Sequence, residues 1–83
     1  METLLEVTGL SLSSIAQLVR KDWKNVNYGA KPWLDAMACL ENIQDNYGFD
    51  SGTSVVAYFL SNASTWRGPV AKLVKAELNK RLK

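Results

Sequence analysis

The chain of 83 residues is 47% hydrophobic, carries a formal net charge of +2 and contains no histidine. A chain of this length closes one core, so we expect a single domain over residues 1–83. The lone cysteine, Cys39, excludes an internal disulfide. Without histidine, neither a zinc site nor a His-based catalytic centre is expected. We therefore predict that the protein is not an enzyme and uses no metal and no cofactor.

The sequence has no membrane-spanning pattern and no secretory signal. No apolar run approaches the roughly 18 residues of a spanning helix, and the first residues lack the charged and then apolar regions of a signal peptide. We expect a cytoplasmic protein without membrane contact.

Apolar residues recur at helical spacing in four segments, so the predicted fold is all-α, a compact bundle of about four short helices. Residues 1–10 show no clear period and are expected to form an arm or a short helix. Residues 46–52 are expected to form a loop. The predicted helices run from Ser11 or Ser13 to the turn-rich residues 25–30, from Pro32 to about Ile43, from Asp50 or Ser51 to about Asn62, and from between Thr65 and Pro69 to about Leu82. A strand is the alternative for the third helix, because that segment begins with β-branched residues.

The segment that precedes the last helix contains the candidate ligand-binding residues. Thr65 is a candidate cap, and the first backbone N–H groups of a helix have no intrahelical acceptor, which makes them donors for an anion. Arg67 can bond a phosphate or carboxylate bidentately, Lys72 lies one turn further on, and Trp66 offers a stacking surface. Thr65, Trp66, Arg67 and Lys72 together predict a site for an anionic, nucleotide-like small molecule.

A purely structural interpretation of the same residues is also open. Trp66 could be a core anchor, and Arg67 falls on the apolar side of its helix, where an unpaired charge is costly. Asp22 falls similarly on the apolar side of the first helix. An Asp22–Arg67 ion pair would then satisfy both charges.

Two further surfaces offer alternative functions. Residues 63–83 carry six Lys/Arg against one acid, so a basic face of Lys72, Lys75, Lys80 and Lys83 could contact nucleic acid phosphates. Tyr28, Tyr47 and Phe49 lie in predicted loops and could form a contact surface for a partner protein. Because three Trp are hard to bury in so small a chain, we also expect a homo-oligomer.

Three segments carry a family resemblance: Lys21–Val26, Tyr28–Met37 and Val55–Gly68. They resemble small uncharacterised helical proteins of tailed phages and prophages. The resemblance implies a phage origin and the host cytoplasm as location, and it brings no activity or functional residue with it. The resulting hypothesis is a non-enzymatic accessory factor that sequesters a nucleotide-like anion or blocks a host or defence factor. The alternatives are an inhibitor that binds protein through its aromatics and a weak DNA-binding protein.

Overall fold

The computed structural model describes residues 7–83, so the expected structure of residues 1–6 lies outside the described part of the chain. The fold is mostly helical, as predicted, with four helices. A small two-stranded sheet corrects the expectation of a purely all-α fold. In chain order the elements are α1 (Leu12–Asp22), α2 (Lys31–Met37), β1 (Asn46–Tyr47), β2 (Asp50–Ser51), α3 (Gly52–Ser61) and α4 (Pro69–Leu82).

Serine side chains cap two of the helices, as the sequence predicts. Ser11 Oγ accepts from the backbone N–H of Ser14 at 3.1 Å, and Ser51 Oγ accepts from that of Ser54 at the same distance. Each cap satisfies one of the free donors at a helix start. The segment after Ser51 is therefore a helix, and the alternative of a strand is wrong.

α2 ends at Met37, six residues before the predicted end at Ile43. The backbone beyond it is used by the first helix, because the Glu41 carbonyl accepts from the Leu12 N–H at 2.9 Å and the Leu40 carbonyl accepts from the Ser13 N–H at 2.8 Å. An α-helix through these residues would have turned those carbonyls along its own axis. The early end of α2 thus supplies acceptors for the start of α1.

The predicted loop at residues 46–52 contains an antiparallel hairpin, in which Asn46 pairs with Ser51 and Tyr47 with Asp50. Its two-residue turn has positive φ at Gly48 (63°) and not at the following Phe49, which is the type II′ pattern that suits the twist of paired strands. The hairpin leads directly into α3, and the Gly52 N–H donates to the Asp45 carbonyl at 2.6 Å.

One hydrophobic core joins the four helices, and side-chain hydrogen bonds fix which helix ends meet. Trp66, just before α4, contacts Asp22 at the end of α1. Asn27, before α2, donates to the Asn62 carbonyl at the end of α3. We call this end of the molecule, where α1 and α3 finish and α2 and α4 begin, the basic end. The opposite one, which carries β1 and β2, is the hairpin end.

Of the expected N-terminal arm or short helix, the structure describes residues 7–10, which form a turn that is packed on α4. Val7 is buried, and Arg81 donates to the carbonyls of Val7 and Thr8 at 2.9 and 2.8 Å. Arg81 also pairs with Glu77 at 2.6 Å, so its charge is compensated on its own helix. Within residues 7–83, no helix has both the length and the apolar character that crossing a membrane requires.

Candidate anion-binding site

Trp66 is part of the core and does not offer a face to a ligand. Its side chain is 2% exposed, it stacks on Trp23 with ring centroids 5.7 Å apart, and it meets Phe59 edge-on at 6.4 Å. The predicted role of Trp66 as a stacking surface for a nucleotide base is therefore wrong. The structural interpretation of this residue as a core anchor is right.

The predicted Asp22–Arg67 ion pair is also wrong. The Trp66 indole N–H, Nε1, donates to Asp22 Oδ2 at 2.8 Å, so the Asp22 carboxylate satisfies the indole and not the guanidinium. In residues 7–83, ion pairs join Arg20 to Asp35 and Arg81 to Glu77, and none involves Arg67. Arg67 is exposed, and within residues 7–83 none of its five N–H donors has a partner, so they can bond a ligand.

The start of α4 has no side-chain cap. Thr65 lies in an exposed turn, and the N-cap position belongs to Gly68, whose φ of 112° is left-handed backbone that favours glycine. The prediction of Thr65 as the cap is therefore wrong. The first backbone bond into the helix is donated by Lys72 to the Gly68 carbonyl at 3.0 Å. Within the described chain, the amides of Val70 and Ala71 thus have no acceptor.

A shallow pocket of about 260 Å³ lies at the start of α4, and Ala71 is one of the residues that line it. It brings together three of the four predicted ligand residues and omits Thr65. Its walls are formed by Trp66, Arg67, Gly68, Ala71, Lys72 and Lys75. Gly68 and Ala71 are small residues, and the other lining residues include three cationic side chains.

Lys75 also lines the pocket, although the sequence did not predict it as a ligand-binding residue. It is predicted on a free basic face with Lys72, Lys80 and Lys83. In the structure Lys75 is half-buried, and its Nζ donates to the carbonyls of Ala63 and Trp66, each at 2.7 Å. The basic face is thus reduced to the three lysines that remain exposed.

The Lys75 ammonium group lies 6.0 Å from the centre of the Trp66 ring. An ammonium carries three donors, so one N–H of Lys75 remains for a ligand. The helical spacing of three residues between Lys72 and Lys75 was the available signal for placing both on one pocket.

The positive charges of Arg67 and Lys72 at the start of α4 destabilise that helix. The start of an α-helix carries a partial positive charge, so acidic residues stabilise it there and basic residues do not. The first turn of α4 contains no acid, and Lys72 lies within it, preceded by Arg67. A negatively charged ligand would relieve this repulsion, which makes the start of α4 electrostatically suited to an anion.

More cations lie at the basic end of the molecule. Lys21 and Lys24 lie at the end of α1, where basic residues favour the helix, and Lys31 is the first residue of α2. The long-range field at the basic end is therefore positive, which steers anions toward it.

The three aromatic residues predicted as a partner surface are all exposed, but they do not form one surface. Tyr28 is 88% exposed and belongs to the basic end, because its neighbour Gly29 lies against Asn62. Tyr47 and Phe49 lie on the hairpin at the opposite end of α3, about 15 Å away for a helix of ten residues.

The three tryptophans differ in how far one chain buries them. Trp23 and Trp66 are buried within one chain, and Trp33 is half-buried beneath Tyr58, with ring centroids 4.7 Å apart. One of the three tryptophans is thus incompletely buried within the chain, and a homo-oligomer stays a prediction.

Among residues 7–83, no group of three or more His, Cys, Asp or Glu side chains could hold a metal ion. Comparison of the chain with protein-family models, with curated proteins and with solved structures finds no match.

Proposed function

We propose that the protein is a non-enzymatic binding protein that holds a phosphate-bearing, nucleotide-like anion at the start of α4. The observation that supports this function is the convergence of Arg67, Lys72 and Lys75 on one pocket at the start of α4, a helix whose Val70 and Ala71 amides have no acceptor within residues 7–83. If the chain is a phage accessory factor, as its resemblance implies, its role is to sequester such an anion in the host cell.

Each group in the pocket has a separate task in this proposal. The amides of Val70 and Ala71 donate to one phosphate oxygen along the axis of α4, as helix starts do in other phosphate sites. Arg67 bonds two oxygens through its planar guanidinium. Lys72 and the third N–H of Lys75 supply compact charges from the other wall.

The ligand is recognised through its phosphates more than through its base. Trp66 is covered by Trp23 and Phe59, so the pocket provides no aromatic face for stacking. A volume of about 260 Å³ suits one or two phosphate groups and leaves the remainder of a nucleotide outside. The proposed ligand class is therefore nucleotides and polyphosphates.

Titration calorimetry with pyrophosphate and ATP tests this function. Arg67→Ala and Lys72→Ala should each weaken binding about tenfold or more, because a hydrogen bond to a charged group contributes roughly 1.5–3 kcal/mol. Lys80→Ala is the matched control, since Lys80 is an exposed lysine of the same helix outside the pocket. Absence of binding to the wild type, or an equal loss in Lys80→Ala, would contradict the proposal.

A further inference from the structure

Phe49 is held in full exposure at the tip of the hairpin. Its side chain is 108% exposed, and that of Tyr47 on β1 is 43% exposed. The hairpin is tied to the body of the protein by the Gly52–Asp45 backbone bond and by the Ser51 cap of α3. An aromatic ring on such a short, fixed support is preordered for binding, since little conformational freedom is lost when it docks.

The hairpin is also acidic. Between Pro32 and Trp66 the chain contains no Lys or Arg, and three of the four acids in that stretch, Glu41, Asp45 and Asp50, lie in or next to the hairpin. Asp50 follows Phe49 directly and is exposed. The partner surface that fits this tip is a pocket with apolar walls and cationic edges.

The basic end of the same chain has that chemistry. Its pocket combines Gly68 and Ala71 with the alkyl stems and charged groups of Arg67 and Lys72. A phenyl ring gains from a guanidinium or ammonium placed over its face, and a neighbouring carboxylate gains from the same charges. Hairpin and pocket lie at opposite ends of α3, so they meet only between different molecules.

From this complementarity we infer that the Phe49 hairpin of one copy docks into the Arg67–Lys72 pocket of a second copy. The contact is head-to-tail, so it extends from copy to copy and does not close into a two-fold dimer. The hairpin is small, so the interface falls below the roughly 1,200 Å² of stable complexes and the association is weak and concentration-dependent. The inference rests on the same pocket as the proposed function, so a bound phosphate and the hairpin of a second copy compete.

Sedimentation velocity over a wide range of protein concentration tests the contact. The wild type should form species that grow with concentration, whereas Phe49→Ser and Arg67→Glu should each remain monomeric. Mixing the two variants should give a one-to-one dimer, because one retains an intact pocket and the other an intact hairpin. Tyr28→Ser is the control, as an exposed aromatic residue of the basic end that should leave association unchanged.

Wild type that stays monomeric at every concentration, or a mixture of the two variants that stays monomeric, would overturn the inference. Both substitutions are at exposed positions, so circular dichroism should confirm that each variant folds. Pyrophosphate titration of the monomeric Phe49→Ser variant tests the ligand function separately. Loss of self-association and loss of ligand binding are thereby distinguished.

Discussion

The indole of Trp66 donates a hydrogen bond to the carboxylate of Asp22, 44 residues earlier in the chain, at 2.8 Å. This bond joins the end of α1 to the segment before α4. It also occupies the carboxylate that would otherwise be the natural partner of Arg67. Because Asp22 bonds the Trp66 indole, it does not pair with Arg67, whose guanidinium makes no ion pair within residues 7–83.

Substitution of Asp22 tests the importance of this bond for stability. Asp22→Ala should lower the free energy of unfolding by about 1–3 kcal/mol, because it leaves the buried indole N–H without an acceptor. Asp22→Asn retains a side-chain oxygen and should lose clearly less. Urea denaturation of both variants checks the difference, and equal stability of Asp22→Ala and the wild type would contradict the assigned role.

Lys75 and Arg67 should separate stability from binding. Lys75→Met removes the donor to two backbone carbonyls, so it should lower both the melting temperature and the affinity for pyrophosphate. Arg67→Ala should lower the affinity alone, because Arg67 is exposed and makes no ion pair in residues 7–83. Thermal denaturation and calorimetry on the same samples measure both effects. A stability loss in Arg67→Ala equal to that in Lys75→Met would show that Arg67 is structural.

Gly52 should be intolerant of any side chain. A Cβ at this position would lie 2.5 Å from the Ile43 carbonyl oxygen and 2.8 Å from that of Asp45, and both are backbone atoms. Gly52→Ala should therefore cost about 2–3 kcal/mol by overpacking. Gly9→Ala is the matched control, since no atom of the described residues lies within 4 Å of its Cβ position. Comparable denaturation midpoints for the two variants would refute the close packing beneath the hairpin.

The buried state of Trp66 predicts little discrimination between bases. ATP, GTP and inorganic triphosphate should bind with affinities within about threefold of one another, because a stacking contribution of roughly 1–3 kcal/mol per base is missing. All three affinities should fall as salt is added, since the pocket acts through exposed charges. A strong preference for one nucleotide over triphosphate would show that a base contact exists outside the pocket.

Local sequence signals predicted most of the helical fold. Ser11 and Ser51, the observed caps, were each one of two residues predicted to start a helix, and α4 begins at Pro69 and ends at Leu82 within the predicted limits. Local sequence signals could not predict the early end of α2. It depends on hydrogen bonds from Leu12 and Ser13, which lie far away in the sequence.

The candidate site was likewise predicted only where its residues are close together in the sequence. Arg67, just before α4, and Lys72, in its first turn, both line the pocket because they lie close together in the sequence at the start of that helix. The partner of Trp66 depends on how α1 packs against the segment before α4, so helical periodicity could not reveal it. The inward turn of Lys75 likewise depends on the carbonyls of Ala63 and Trp66, which lie between α3 and α4.

The most direct test of the central claim is a titration of ¹⁵N-labelled protein with pyrophosphate, followed by amide chemical shifts. We expect saturable chemical-shift changes concentrated at the amides of Val70, Ala71 and Lys72, with little change at Lys80. These shifts should be strongly reduced in Arg67→Ala. Absence of shifts, or shifts of similar size at every lysine-rich position of α4, would contradict a defined anion site at the start of that helix.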